Sequence, residues 1–80
     1  MILPTKHTNL SESLLGFGAY LLTRLDEPSP IDKLWKIYQQ DYSNNIYNTE
    51  HSFDKFLHCL VFLHSIGILI EKDGEIVKCN

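Results

Sequence analysis

Only two cysteines occur in the 80 residues, Cys59 and Cys79, and one pair does not make the disulfide framework of a small secreted domain. A reduced, cytoplasmic protein is the expectation. No apolar run approaches the eighteen residues that read as a membrane span. The opening Met1 to Lys6 lacks a charged region followed by a long apolar one, so it does not read as a signal peptide. Positive charge is scarce. Seven Lys and Arg stand against ten Asp and Glu, the net charge is −3, and no two basic residues are adjacent. Free-standing nucleic-acid binders neutralise phosphates with Lys and Arg and tend to be basic, so this balance weighs against one.

The groupings that carry chemistry are also missing. Cys59 stands beside His58, but neighbouring helical residues point about 100° apart, so the two do not form a nucleophile and its base. His51, His58 and His64 do not share a face at zinc-ligand spacing, and there is no Cys-x-x-Cys. Gly16-Phe17-Gly18 falls inside a helical pattern and not between a strand and a helix, so it is no phosphate-binding loop. The expectation is a non-enzymatic protein with no catalytic residues, no metal ligands and no cofactor.

What the chain does have is apolar and aromatic content: 44% hydrophobic residues, too much for a disordered chain of such small net charge. Eighty residues read as one domain, and a core of that size is thin. A thin core rich in aromatics often completes itself against a partner.

The last third organises the rest. Phe53, Phe56, Leu57, Leu60, Leu63 and His64 recur at three- and four-residue intervals and predict a helix over 52–66, with Ser52 as its N-cap and Asp54 in its first turn. Gly67 stands where a helix closes in the left-handed conformation. The period then changes to two. Asp73-Gly74 predicts a two-residue type I′ turn in a hairpin over 68–79. Counting outward pairs Lys72 with Glu75, Ile70 with Val77 and Ile68 with Cys79. Glu71 then opposes Ile76, and Leu69 opposes Lys78, on the other face.

Upstream, residues 1–9 read as a short arm or edge strand, because Pro4 excludes a central strand while Ile2 and Leu3 need something to pack on. A first helix is expected over 10–25, capped by Asn9 with Glu12, or by Ser11. Leu14, Phe17, Leu21, Leu22 and Leu25 form its inner stripe, widened by Leu15 and Ala19. Gly18 lies within that stripe, where a missing side chain lets a neighbour approach. Gly16 faces the other way beside Tyr20, and is either a tolerated weakness or a point of close contact with a second protein. Ser29 can cap a second helix over 30–42, with Pro30 in its first position. The polar stretch Asp41 to Glu50 holds the turn into the third helix. Three helices followed by a two-stranded wing, with a short N-terminal arm, predict a mostly α, α+β winged helix-turn-helix. In that fold the segment before the second helix often forms a short strand on the wing, and two prolines keep it short here.

A winged helix reads either nucleic acid or protein. The projection of the third helix puts Asp54, Lys55, His58, Phe62 and Ser65 outward, a poor set for reading base edges. The wing tip, Glu71 to Glu75, is net acidic. Phe62 is either a rim residue folded on the wing or an aromatic anchor for a partner. Leu69 and Ile76, diagonal on the second wing face, extend the docking patch. The interface candidates are therefore Ile2, Leu3, Gly16, Tyr20, Lys55, His58, Phe62, Leu69 and Ile76.

The opening Met1 to His7, Ser13 to Ala19 with its Gly-Phe-Gly, the Leu34-Trp35 pair, and Ser52-Phe53-Asp54 followed by Gly67-Ile68-Leu69 and the wing together resemble the small middle component of bacterial ABC-three-component systems. The likeness spans nearly the whole chain and is most specific over the first nineteen residues. It implies an accessory subunit encoded between an ABC-type ATPase, related to chromosome-maintenance and repair ATPases, and a larger effector, in systems directed against phage or other invading DNA. It also implies that the N-terminal arm and the Gly-Phe-Gly helix matter for assembly. The competing expectation is a small winged-helix DNA-binding regulator in which Lys55 and Lys72 touch phosphate. Homodimerisation through the same patches fits either one.

Overall fold

A computed structural model of the chain describes residues 13–79. The elements in order are α1 (Leu14–Arg24), α2 (Ile31–Ser43), α3 (Phe53–Ser65), β1 (Leu69–Lys72) and β2 (Glu75–Lys78). Three helices followed by an antiparallel hairpin make a mostly helical, winged-helix-like α+β architecture.

The helix starts follow from local chemistry. Ser13 is extended and its Oγ accepts the Gly16 N–H at 3.0 Å, so α1 as described begins at Leu14; the expected start at Leu10 lies outside the described residues. The alternative caps Asn9, Ser11 and Glu12 lie outside the described residues, as do Ile2 and Leu3. Ser52 caps α3 as its position predicts, its Oγ accepting from the Lys55 N–H at 3.1 Å. Ser29 does not cap α2. Pro30 is the N-cap residue, without a side-chain bond, and the Ser29 hydroxyl instead donates to the Pro30 carbonyl at 3.0 Å.

Ser29 has another use for its backbone. Its N–H donates to the Ile76 carbonyl at 3.1 Å, and its carbonyl accepts from the Ile76 N–H at 2.7 Å. This single bridge is a one-residue third strand on β2, as short as Pro28 and Pro30 on either side allow. The hairpin register agrees with the count made outward from Asp73-Gly74: Leu69–Lys78, Ile70–Val77, Glu71–Ile76 and Lys72–Glu75. Asp73 and Gly74 take φ of 55° and 81°, the signature of a type I′ turn, and Gly67 closes α3 at φ 82°.

The core joins all five elements: Phe17, Leu21 and Leu25 from α1 and its end, Leu34 and Tyr38 from α2, Phe56, Cys59, Leu60 and Leu63 from α3, and Leu69 and Ile76 from the wing. A Cβ at Gly18 would stand 3.0 Å from Leu63 Cδ2 and 3.4 Å from Cys59 Sγ, so glycine lets α3 side chains close onto α1. Two apolar expectations are corrected here. Leu15 and Ala19 face solvent, because the stripe that meets α3 is narrower than the run of apolar letters. Leu69 and Ile76 are buried, at 3% and 6% exposure, so the wing face expected to lie open is the face turned inward. Ile70, on the opposite face, is 43% exposed. The Ser29 bridge ties Ile76 to the segment before α2, and Leu69 and Ile76 pack into the core with the α3 residues, which is the face of the hairpin that is covered.

Candidate functional site

The turn between α2 and α3 frames one side of the molecule through an aromatic cluster. Phe17 is fully buried, its ring stacked 3.9 Å from His51 and edge-on to Tyr38 at 5.3 Å. Tyr20 lies 4.1 Å over Tyr47. Tyr38 ties the turn down: its hydroxyl donates to the Thr49 carbonyl at 3.0 Å and accepts from the His51 N–H at 2.6 Å. Asn45, at φ 61°, takes the left-handed conformation that Asn tolerates. The Asp41 carbonyl accepts from the N–H groups of Ile46 and Tyr47 at 2.8 and 3.2 Å.

Asp41 is buried, and its carboxylate accepts from the Tyr20 hydroxyl and from Arg24 Nε at 3.0 Å. Burial and the neighbouring Asp41 carboxylate both raise the Tyr20 pKa, since each disfavours a phenolate. Burial pushes the Tyr47 hydroxyl up to about 12 and the Cys59 thiol up to about 11. A thiol raised in this way is a small buried hydrophobe and not a nucleophile at neutral pH. No group of three or more His, Cys, Asp or Glu is placed to hold a metal among the described residues. Among the same residues no helix is long and apolar enough to cross a membrane.

On the other side, an apolar groove of about 230 Å³ runs between α3 and the wing. Leu60, Leu69 and Ile76 make its buried floor, and Ile31 closes its end from the start of α2. Val61, His64 and Ile70 stand along its rims, with Val61 63% exposed, and Glu71 sits at the wing side. The lining holds no Lys or Arg.

The structure distributes the expected interface residues. Leu69 and Ile76 come together, but as the floor of this groove and not as a protruding patch. Phe62 is half-buried and packed against the core, so it is a rim residue. Tyr20 is half-buried and committed to Asp41. Gly16 is half-buried at the start of α1, and His58 is exposed on α3. Lys55 lines a separate polar depression at the start of α3 with Tyr42, Glu50 and His51. His64, which falls on the helical stripe by its spacing, is exposed at the groove rim.

Val61, Ile70 and Glu71 are the groove residues that sequence reasoning passed over. Val61 lies off the apolar stripe of α3, and an apolar residue off the stripe is the signal that pointed to it. Asp41 and His51 carry no such mark, because polar residues in an Asn-rich turn read as solvated.

Compared with known proteins, residues 3–79 match the family model described as ABC-three component (ABC-3C) system Middle Component 6. No match is found among curated proteins or among solved structures.

Proposed function

The chain belongs to the Middle Component 6 family of ABC-three component systems, and on that footing we propose that it is a non-enzymatic adaptor that docks on the ATPase and the effector of its system. The biological role that goes with this reading is defence against phage or other invading DNA. One observation carries the docking proposal. The groove between α3 and the wing is apolar, is flanked by exposed Val61 and Ile70, and has no Lys or Arg in its lining to meet a phosphate. Burying such a surface against another protein gains roughly 25 cal/mol per Å² of apolar area removed from water.

The cations of the described residues are spread out along the chain. Arg24 pairs with Asp41, and Lys78 Nζ donates to the Leu22 carbonyl at 3.2 Å. Lys72 stands among Glu71, Asp73 and Glu75. Co-expression with the ATPase and effector components, followed by size exclusion, tests the proposal. Co-elution with at least one of them is expected, and migration alone in every combination refutes it. A salt titration with duplex DNA tests the competing regulator. Contact with Z phosphates gives a log–log slope of about −0.9Z, and the adaptor reading expects a flat line.

A further inference from the structure

The groove has a second property that its apolar lining does not account for: one of its walls is a sheet edge that no described residue pairs with. Residue pairs across an antiparallel hairpin alternate between bonded and non-bonded. The Cys79 N–H donates to the Ile68 carbonyl at 2.8 Å, which makes Ile68, Ile70 and Lys72 the bonded positions. The N–H and C=O groups of Leu69 and Glu71 therefore point away from β2. On β2 the corresponding outward groups of Ile76 are both taken by Ser29. On β1 no described residue occupies that place, and the sheet ends there. Leu69 is buried while Glu71 is exposed, so Glu71 is the rung that an incoming chain reaches first.

Proteins commonly keep edge strands short and charged to prevent indiscriminate pairing. The four residues of β1, ending in Glu71 and Lys72, fit that precaution. The precaution also sets the terms of entry: an occupant has to meet Glu71. Apolar floor, open edge and a single carboxylate together describe a strand-addition site, in which main-chain bonds supply affinity and alternate side chains supply specificity.

We propose that the groove accepts an extended segment of a partner polypeptide as an added strand on β1, with an apolar side chain over Val61 and Leu69 and a Lys or Arg against Glu71 at alternate positions on one face, and an apolar side chain beside Ile70 on the other. The proposal rests on the adaptor reading above and names the chemistry of the segment that docks. Charge selects a basic partner segment over a second copy of this chain. A second copy would bring another Glu71, another acidic wing tip and a further net charge of −3.

The test uses the full chain in complex with the ATPase and effector components, with amide exchange followed residue by residue. Strand addition slows the Glu71 amide by roughly tenfold or more, while the Ile70 and Lys72 amides, already bonded inside the hairpin, change little. Glu71→Pro removes the outward N–H without touching a hairpin bond, as edge-strand prolines do. It is expected to weaken co-elution about tenfold, the value of one backbone hydrogen bond. Glu71→Lys, which leaves the backbone intact, is expected to weaken it comparably by reversing the charge, and it keeps the test open if the proline variant unfolds. If Val61→Asp abolishes the complex while the Glu71 amide of the unsubstituted chain exchanges in the complex as it does in the free chain, strand addition is overturned and the adaptor reading stands. A dimer of this chain alone with a protected Glu71 amide overturns the choice of occupant. The absence of any complex overturns both readings.

Discussion

Removing the carboxylate of Asp41 tests whether the α2–α3 turn is fastened by a buried charge or merely by aromatic packing. The Asp41 side chain is 4% exposed, whereas that of its partner Arg24 is 45% exposed. The two contacts of the carboxylate are therefore unequal. The Arg24 pair is half in water, is screened by salt, and contributes about 0–1 kcal/mol. The Tyr20 hydroxyl, half-buried under Tyr47, donates to a charged acceptor, a class of bond that contributes about 1.5–3 kcal/mol. Asp41→Ala removes both contacts and leaves a small void, so the expected loss is about 2–3 kcal/mol. At about 4–8 °C per kcal/mol for a domain of this size, the melting temperature falls by roughly 8–24 °C. Asp41→Asn keeps an acceptor for Tyr20 and loses the charge, and is expected to cost about 1–2 kcal/mol. Arg24→Ala is expected to cost about 0–1 kcal/mol, and added salt should shrink that cost further while leaving the cost of Asp41→Ala nearly unchanged. Urea and thermal unfolding, followed by circular dichroism and by the single Trp35, measure all three variants. Equal losses for Arg24→Ala and Asp41→Ala would refute the reasoning, and so would a loss below about 1 kcal/mol for Asp41→Ala.

Tyr38→Phe removes the hydroxyl shared by the Thr49 carbonyl and the His51 N–H, leaving a buried donor unmet. A loss of about 1–3 kcal/mol in the same unfolding assay is expected. Gly74→Ala forces a side chain onto a residue at φ 81°, and should cost about 1–2 kcal/mol, lowering the melting temperature without altering α-helical content. The tyrosine shifts predict alkaline instability. Tyr20, Tyr38 and Tyr47 are all raised from 10, so the folded chain holds protons that the unfolded chain gives up. The stability they contribute is full below pH 10 and is lost as pH rises toward about 12, the Tyr47 value. Urea midpoints measured from pH 9 to 12 should fall across that window, and Tyr47→Phe should make the fall shallower.

The wing separates what a linear pattern can specify from what it cannot. Its register was legible because a type I′ turn needs positive φ at two consecutive residues, and Asp73-Gly74 supplies them at one place only. Its sidedness was not legible. Alternation sorts the hairpin into two faces, Ile68, Ile70 and Val77 against Leu69 and Ile76, and both are apolar enough to be covered. Which face turns inward is settled by the packing of Leu69 and Ile76 into a core drawn from all three helices, contacts between residues far apart in the chain. The same limit applies to the turn after α2. Tyr38 belongs visibly to the apolar stripe of its helix, but its bond to the backbone of His51 exists only after the turn has closed. Asp41 and His51 are polar residues in a polar stretch, and their burial comes from Phe17 and Tyr20 on α1 reaching over them. Within the candidate site, the floor residues Leu69 and Ile76 were found by their apolar character and assigned to the wrong side. The rims Val61 and Ile70 were passed over, because an isolated exposed hydrophobe is ordinary until a fold places several together.

That inversion moves the interaction surface without removing the argument for one. With Leu69 and Ile76 turned inward, the hairpin spends its second face on the core, and Val61, Ile66 and Ile70 are among the apolar residues left outside, with Leu15, Ile46 and Phe53. Val61 and Ile70 both line the groove, whose floor is already dehydrated by Leu60, Leu69 and Ile76. A dehydrated floor strengthens any hydrogen bond made beside it, and the backbone groups of Glu71 lie at its margin. A polyanion would find one carboxylate and no Lys or Arg there, whereas an extended basic and apolar segment would find a complement to its charge, its side chains and its backbone.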